Sequence, residues 1–447
     1  MATVHRITNV SQSASYDFLT GALSILSDTW QMSPPQDGKV VETFSLVAKG
    51  ATDANIMAAV QTIDELAEAV RLFRDNKKQG NSIWYEYKTT DEASKRALIY
   101  SITLMPVSRI FYTPMLGRNA AFYDLAIERD AVWETYAGTT ATDTNNPCLG
   151  GVMSLAAQAG ALPARISSAV ITGLADGGTI DRLWLGIRPV NSGLADFNPL
   201  WELELGTPGT GFATATDADA SPAAGANNSL IGAVGTSSAE AAGITVVQAA
   251  PAAVSDDFVG NYLVLLRAKL SAANQVLLQM KCGFSSAATF APVGEPRPFA
   301  DTAYRFVEMG EISIPPFSYR NGAQGPDMLK NFEIQIWAER TGAAVNLSLD
   351  CLVLVPTDHF VSTAGAAIVA GGARERIYTF EDGEQQAIGL SATDEPNVNL
   401  ECHPRNWHIP IGGGSLVVAG ERTASQVITD KVSIVLNITH RHRTHLE

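Results

Sequence analysis

One segment of this chain, residues 53–79, carries the three-and-four spacing of an amphipathic helix. Almost everything else is written in short runs of β-branched and aromatic residues. That contrast is the strongest constraint on the fold. Thr52-Asp53 supplies capping chemistry at the start of the helix, and Ile56, Val60, Ile63, Leu66, Ala67, Val70 and Phe73 form its apolar stripe. Lys77, Lys78 and Gly80 close it. A stripe of this kind needs a surface to cover. The surrounding strand candidates, residues 39–48, 83–88, 96–104 and 122–129, supply one, which predicts an α+β unit with the helix packed on antiparallel strands. Residues 137–147 (AGTTATDTNNP) read as a linker.

A second series of strand candidates follows at 165–173, 181–190, 201–206, 261–270, 275–284, 304–314, 332–340 and 345–355. Their number and the turn residues between them predict a β-sandwich over 149–360, with a jelly roll as the leading version. Within it, residues 207–257 are rich in Ala, Gly, Ser and Thr. They read either as a long surface loop with one strand at 244–248 or as a contact segment that orders against a neighbouring subunit. No Lys or Arg occurs between Arg188 and Arg267, whereas Asp196, Glu202, Glu204, Asp217, Asp219, Glu240, Asp256 and Asp257 all do. The last portion, 370–447, offers strands at 376–380, 387–392, 397–402, 415–419 and 431–439. It is expected to complete the N-terminal sheet, which makes the middle domain an insertion.

Composition removes several classes of function. Of the 447 residues, 46% are hydrophobic and 17% charged, the reverse of a disordered chain. The net charge of −15 opposes general binding to nucleic acid or to anionic membranes. No apolar run approaches the roughly 18 residues of a spanning helix. The start, MATVHRITNVSQSASYDFLTG, lacks a basic region followed by an apolar one, so a secretory signal is not expected. Cys148, Cys282, Cys351 and Cys402 are far apart, which indicates neither a disulfide framework nor a Cys-rich zinc site. Folding in a reducing cytoplasm is the expectation, and the sequons at Asn9, Asn227, Asn346 and Asn437 are read as chance matches.

The candidate sites are sparse. There is no P-loop, HExxH or GxSxG motif, and Gly206, Gly209 and Gly211 have turn spacing rather than that of a phosphate cradle. Asp217-Ala-Asp219-Ala-Ser221 begins like a calcium loop, but Pro222 stands where the EF-hand requires glycine. Glu202 and Glu204 would share a strand face at roughly 7 Å, a spacing usable for glycoside hydrolysis. The simpler reading is a solvated face beside buried Trp201, Leu203 and Leu205. Of His440, His442 and His445 near the C-terminus, His440 and His442 alternate and could share a strand face as metal ligands require, although a solvated basic tail, or one that pairs with an acidic neighbour, is favoured. His403 and His408 flank a loop. Trp184, Trp337 and Trp407 are possible sugar platforms, with core packing favoured for the two in strand patterns. No catalytic, cofactor-binding or metal-binding residue is assigned, no cofactor is expected, and the chain is not expected to be an enzyme.

The N-terminal third, through IWYEYKTTDEASKRALIYSITLMPVSRI and FYDLAIERDAVWE, resembles tail proteins of long-tailed bacteriophages. In that family a strand–helix–strand unit ends in a strand closing with an Arg and a nearby Trp, here Glu128-Arg129 and Trp133-Glu134. The stretches GNYLVLLRAKL, YRFVEMGEISIPP and VNLSLDCLVLVP resemble the jelly-roll domains inserted in such proteins. The resemblance implies a mainly β chain. A split β-barrel with one packed helix would occupy 1–136, a jelly roll would occupy 149–360, and a β segment at 370–447 would complete the barrel. It implies a distal tail or minor tail protein of the virion, made in the host cytoplasm. Such a protein assembles into a ring, with a hexamer favoured, around the DNA conduit, and its jelly roll projects outward. Other tail proteins and a host surface glycan are the implied partners, with no specific nucleic-acid binding and no membrane insertion. The competing readings are a capsid-decorating or tail-tube protein, a non-catalytic carbohydrate-binding protein, and a glycosidase using Glu202 and Glu204.

Overall fold

The computed structural model describes residues 2–9, 13–26, 29–48, 52–76, 82–90, 94–107, 122–135, 138–173, 180–189, 198–209, 211–223, 226–235, 244–248, 259–284, 290–314, 332–368, 374–379, 385–388, 399–402, 407–422 and 430–443. Among them a single α-helix, Asp53–Asn76, stands against many antiparallel strands, so the mainly β expectation holds. The chain forms two compact units. The first comprises Met1–Thr139, Ala159–Arg165 and Ile438–Glu447, and the second Thr140–Gln158 and Ile166–Asn437.

In the first unit, Thr52 caps the helix. Its hydroxyl accepts the Asn55 amide at 3.3 Å, and Asp53 adds an acid to the first turn. Ile56, Ala59, Ile63, Leu66 and Val70 are buried on one face, against Ile7, Phe18, Phe44, Tyr85, Ile99 and Leu125 of the sheet. The opposite face is held by exposed pairs, Glu68–Arg71 at 2.6 Å and Gln61–Glu65 at 2.9 Å. The sheet runs Ser15–Asp17, Ala2–Asn9, Ile83–Thr89, Lys95–Pro106, Phe122–Asp130, Lys39–Ala48, Leu23–Ile25. Lys95–Pro106 is shared by its two halves. Its start pairs with Ile83–Thr89, its end pairs with Phe122–Asp130, and a register shift between Ile99 and Ser101 lies between them. A bulge there bends the strand and lets the sheet curl over the helix stripe. The end of the C-terminal strand joins this unit, pairing Arg441 with Glu134 and His442 with Trp133.

Within the second unit, eight strands form a sandwich: Ala226–Ala233, Ile244–Gln248, Gly260–Leu270, Val276–Phe284, Ala291–Phe299, Arg305–Ile314, Phe332–Arg340 and Asn346–Pro356. The first, eighth, third and sixth form one antiparallel sheet, and the second, seventh, fourth and fifth form the other. That order is the two-Greek-key pattern of a jelly roll. Trp201, Leu230, Leu266, Leu278, Ile336, Leu352 and Leu354 fill the space between the two sheets. A third sheet, in the order Leu149–Leu155, Gly414–Arg422, Ile180–Pro189, Phe360–Ile368, Asn399–Cys402, covers the outer face of the first. Trp184, Val417 and Ala419 of this cover pack on Leu265, Phe306, Val353 and Val355. Gly186 permits the approach, since a Cβ there would lie 2.2 Å from the Pro356 carbonyl oxygen. The strand NLSLDCLVLVP is therefore buried on both faces from its second residue on, which is why it reads as an apolar run without alternation.

Three local expectations change. The linker at 137–147 is the strand Thr139–Pro147, because its threonines, polar in composition, are β-branched and fit a strand with one solvated face. The segment 207–257 is not a loop with one strand. Its described residues also form Phe212–Thr216, Pro222–Ala223 and Ala226–Ala233. Small residues allow close approach there: a Cβ on Gly232 would meet the Phe212 ring at 2.5 Å. Finally, 201–206 is a strand only at Leu200–Glu202, and Leu203–Leu205 is a turn of 3₁₀-helix.

The helix offers a test of this packing. Ile63→Ala should cost about 2–5 kcal/mol in urea unfolding of the first unit, because Ile63 is fully enclosed. Met57→Ala, on the exposed face, should cost less than about 0.5 kcal/mol.

Candidate functional site

The sequence places Glu202 and Glu204 on one strand face, but the structure separates them by a change of backbone. Glu202 ends the strand Leu200–Glu202, opposite Cys351, and Glu204 sits in the following 3₁₀ turn. Trp201 and Leu203 are core residues, whereas Leu205 is 70% exposed, contrary to expectation. Neither acid faces open solvent. Both oxygens of Glu204 are buried, without a hydrogen-bond partner outside their own residue.

Glu202 belongs to a largely buried polar cluster. Ser221 donates its hydroxyl to Glu202 and also lies 2.9 Å from Asp350, while the Ser221 amide donates to Asp350 at 2.8 Å. The other oxygen of Asp350 pairs with the Arg267 guanidinium, and both side chains are 0% exposed. Arg267 also donates to the Asp219 carbonyl at 2.8 Å and lies 4.2 Å from the centre of the Tyr304 ring. The position of the pair follows from strand register. Leu266 opposes Leu352 and Ala268 opposes Leu349, so two residues, Asp350 and Cys351, face the single Arg267. This is a β-bulge, and it turns Asp350 toward its partner.

The would-be calcium loop is absorbed by the same cluster. Asp217 accepts from Lys269 at 2.6 Å, from Tyr304 at 2.9 Å and from the Asp219 amide at 3.2 Å. Burial pushes the Asp217 carboxyl up, but Lys269, Tyr304 and the amide outweigh it and hold it below its ordinary range. Burial raises Glu202 to about 7. The Ser221 bond opposes that rise, the Asp350 charge adds to it, and Arg267 again opposes it. Glu204 is likewise raised to about 7, first by burial and then by the charges of Glu202 and Asp350.

Glu202, Asp350 and Cys351 bring one ligand atom each within 4.8 Å of one another, a spacing a metal could use. The donor set fits poorly. Arg267 and Ser221 already take the Asp350 oxygens, and burial holds the Cys351 thiol far above its ordinary range, away from the thiolate form a metal requires. The cluster is built to neutralise charge between strands.

The remaining sequence candidates disperse. His440 contacts Thr139 at 3.2 Å and His442 is buried opposite Trp133, while His445 and His403 lie outside the described residues. His408 is half-buried in the strand His408–Ile409. Trp184 is a core residue donating to Glu308 at 2.8 Å, and Trp407 is fully buried. Trp337 alternates away from core-facing Ile336. It is half-buried, with its ring 4.2 Å from Lys281 and its N–H on Gln335 at 3.1 Å.

The first unit has a polar centre of its own. Arg129 donates from Nε to Glu42 at 2.7 Å and places its guanidinium 4.3 Å over Trp133, while Trp30 donates to the second Glu42 oxygen at 3.1 Å. Glu134 receives two bonds from Arg165, at 2.6 and 2.7 Å. The Arg and Trp singled out in the sequence thus form one stack. Glu42, which pairs with Arg129, Arg165, which pairs with Glu134, and the Arg267–Asp350 pair were missed. The available signal was a lone charge inside an apolar strand run, as in YLVLLRAKL and NLSLDCLVLVP.

No family model matches the chain, and no curated protein matches it. Solved structures with some likeness include a chain of the T=1 particles derived from infectious bursal virus. It is 10% identical, with a TM-score of 0.18, over 69% of this chain and 76% of that one. A chain of the infectious bursal disease virus Gt strain is 9% identical, with a TM-score of 0.19, over 94% of this chain and 84% of that one. At such TM-scores neither likeness bears on what this chain does.

The Arg267–Asp350 pair generates a stability prediction. Asp350→Ala leaves a buried guanidinium without its anion and should cost about 3–5 kcal/mol in urea unfolding. The double variant Arg267→Met, Asp350→Leu should recover most of that loss, because it removes both desolvated charges together.

Proposed function

We propose that this chain is a virion structural protein and, within that class, a subunit of a bacteriophage tail of the distal tail or minor tail type. Its work is assembly. The observation that carries the reading is the eight-stranded jelly roll, an architecture recurrent in virus shells and lectins, here with a third sheet of the same chain covering one side. Such a domain presents a rigid, doubly backed scaffold. Its outer edge strand, Ala291–Phe299, is exposed and carries Pro292, Pro296 and Pro298, which blunt edge-to-edge pairing. Subunits then meet through faces and loops rather than by uncontrolled extension of the sheet. In this reading the first unit, with its helix-backed sheet and Arg129–Trp133 stack, builds the ring.

A second reading, glycan binding, is favoured by Trp337. Its indole lies outside the sandwich core beside Gln335 and Lys281, a mixture of aromatic and polar groups suited to a sugar.

Light scattering and negative-stain electron microscopy test the first reading. Closed rings are expected, with a mass near six times 47.5 kDa for a hexamer. Trimers would indicate a decorating protein, and open tubes a tube protein. A 47.5 kDa species that joins no ring, alone or with tail proteins, contradicts the assembly reading. A glycan array read in parallel, with Trp337→Ala as control, decides the second.

A further inference from the structure

Glu202 and Glu204 are more than members of a structural cluster. Three carboxylates, Glu202, Glu204 and Asp350, lie within electrostatic reach of one another, and the Arg267 guanidinium beside them is paired with Asp350. With all three acids ionised, the negative charges outnumber the guanidinium in a largely buried site. The neighbouring cation does not relieve this, because Lys269 is committed to Asp217 at 2.6 Å. The other groups facing the site are Asp219 and Ser221 from the 217–221 turn, Tyr304, and Cys351 beside Asp350. Ala226–Ala233 and Ile244–Gln248, which pack on the 203–205 turn, contain no ionisable side chain. Glu202 shares the Ser221 hydroxyl, whereas the buried Glu204 oxygens meet, among the described residues, only the amide of their own residue. A buried carboxylate with so few donors favours its protonated form.

We propose that Leu200–Leu205 is a proton-operated latch: it seats on Asn346–Pro356 while Glu202 and Glu204 hold protons, and it lifts from the jelly roll when they lose them. The short strand is attached by few bonds, pairing Leu200, Trp201 and Glu202 with Val353, Leu352 and Cys351. Leu354 adds one further bond, from its amide to the Pro199 carbonyl at 2.9 Å. Opening it also draws Trp201 and Leu203 out of the core, so the lifted form is a local opening whose population the two protons set. Both acids are raised to about 7, chiefly by burial. The seated form therefore binds protons that the lifted form, at the ordinary 4.5, does not. That difference favours seating at mildly acid pH and fades as pH rises through about 7. Asp217, held below its ordinary range, acts in the opposite sense and only in strong acid.

Hydrogen exchange between pH 5.5 and 8 tests the latch on the full chain, with rates corrected for intrinsic pH dependence. Two reporters are the Leu354 amide and the Gly206 amide, which donates to Leu203 at 3.0 Å. Their protection should fall by up to roughly a hundredfold from pH 6 to pH 8, about tenfold for each of the two protons lost from groups titrating near 7. Amides of Ile180–Pro189 serve as the unmoved control. In Glu202→Gln, Glu204→Gln the two reporters should stay protected at both pH values. Glu204→Gln alone should reduce the slope and guards against misfolding of the double variant. A flat profile in the wild type, or an equal fall in the double variant, overturns the latch.

Discussion

The second unit depends on one sheet that is covered from both sides. Gly260–Leu270 and Asn346–Pro356 run side by side in it, with the jelly-roll interior on one face and the Trp184 layer on the other. Sheets buried in this way cannot solvate a charge, yet each of these strands carries one that is fully enclosed. Arg267 and Asp350 resolve the conflict by facing each other across the bulge, and the bulge also changes the facing of the residues around it. Leu347 and Leu349 before it, and Leu352 and Leu354 after it, all point into the sandwich, while Cys351, Val353 and Val355 point to the other core. A simple alternation would place Leu349 and Leu352 on opposite faces. The ion pair and the packing of two cores are thus one structural feature.

The first unit solves a similar problem with different parts. Its helix supplies an apolar stripe, and the curled sheet supplies the matching surface. The charges Arg129, Glu42, Glu134 and Arg165 lie in nearly full burial, each paired in a bidentate or multiply bonded arrangement. Removing one member of such a pair is costly, whereas the pair itself adds little net stability. Their value lies in fixing which strands meet, since a one-residue slip of register would strand a buried charge.

Much of this fold is legible in the chain. Lys39–Ala48, Phe332–Arg340 and the helix follow from periodicity and caps, because those elements expose one face and bury the other. The jelly roll as a class was legible from the number of strands, but its strand order was not, because pairing between distant strands leaves no local mark. The Thr-rich Thr139–Pro147 and the Ala-rich 207–257 misled for a common reason: composition reports solubility and turn preference, whereas tertiary pairing decides whether such residues form a strand. The candidate site was half legible. Glu202 and Glu204 stood out, but their proximity to Asp350, almost 150 residues later, comes only from folding.

Native-state hydrogen exchange at fixed pH tests most directly whether the doubly covered sheet anchors the second unit. The amides of Gly260–Leu270 and of Asn346–Pro356 beyond the short strand at its edge should exchange only through global unfolding of the unit. They should be slower than those of Val276–Phe284 in the outer jelly-roll sheet or Leu149–Leu155 at the edge of the cover. Faster exchange in the doubly covered strands than in either outer sheet would contradict the account.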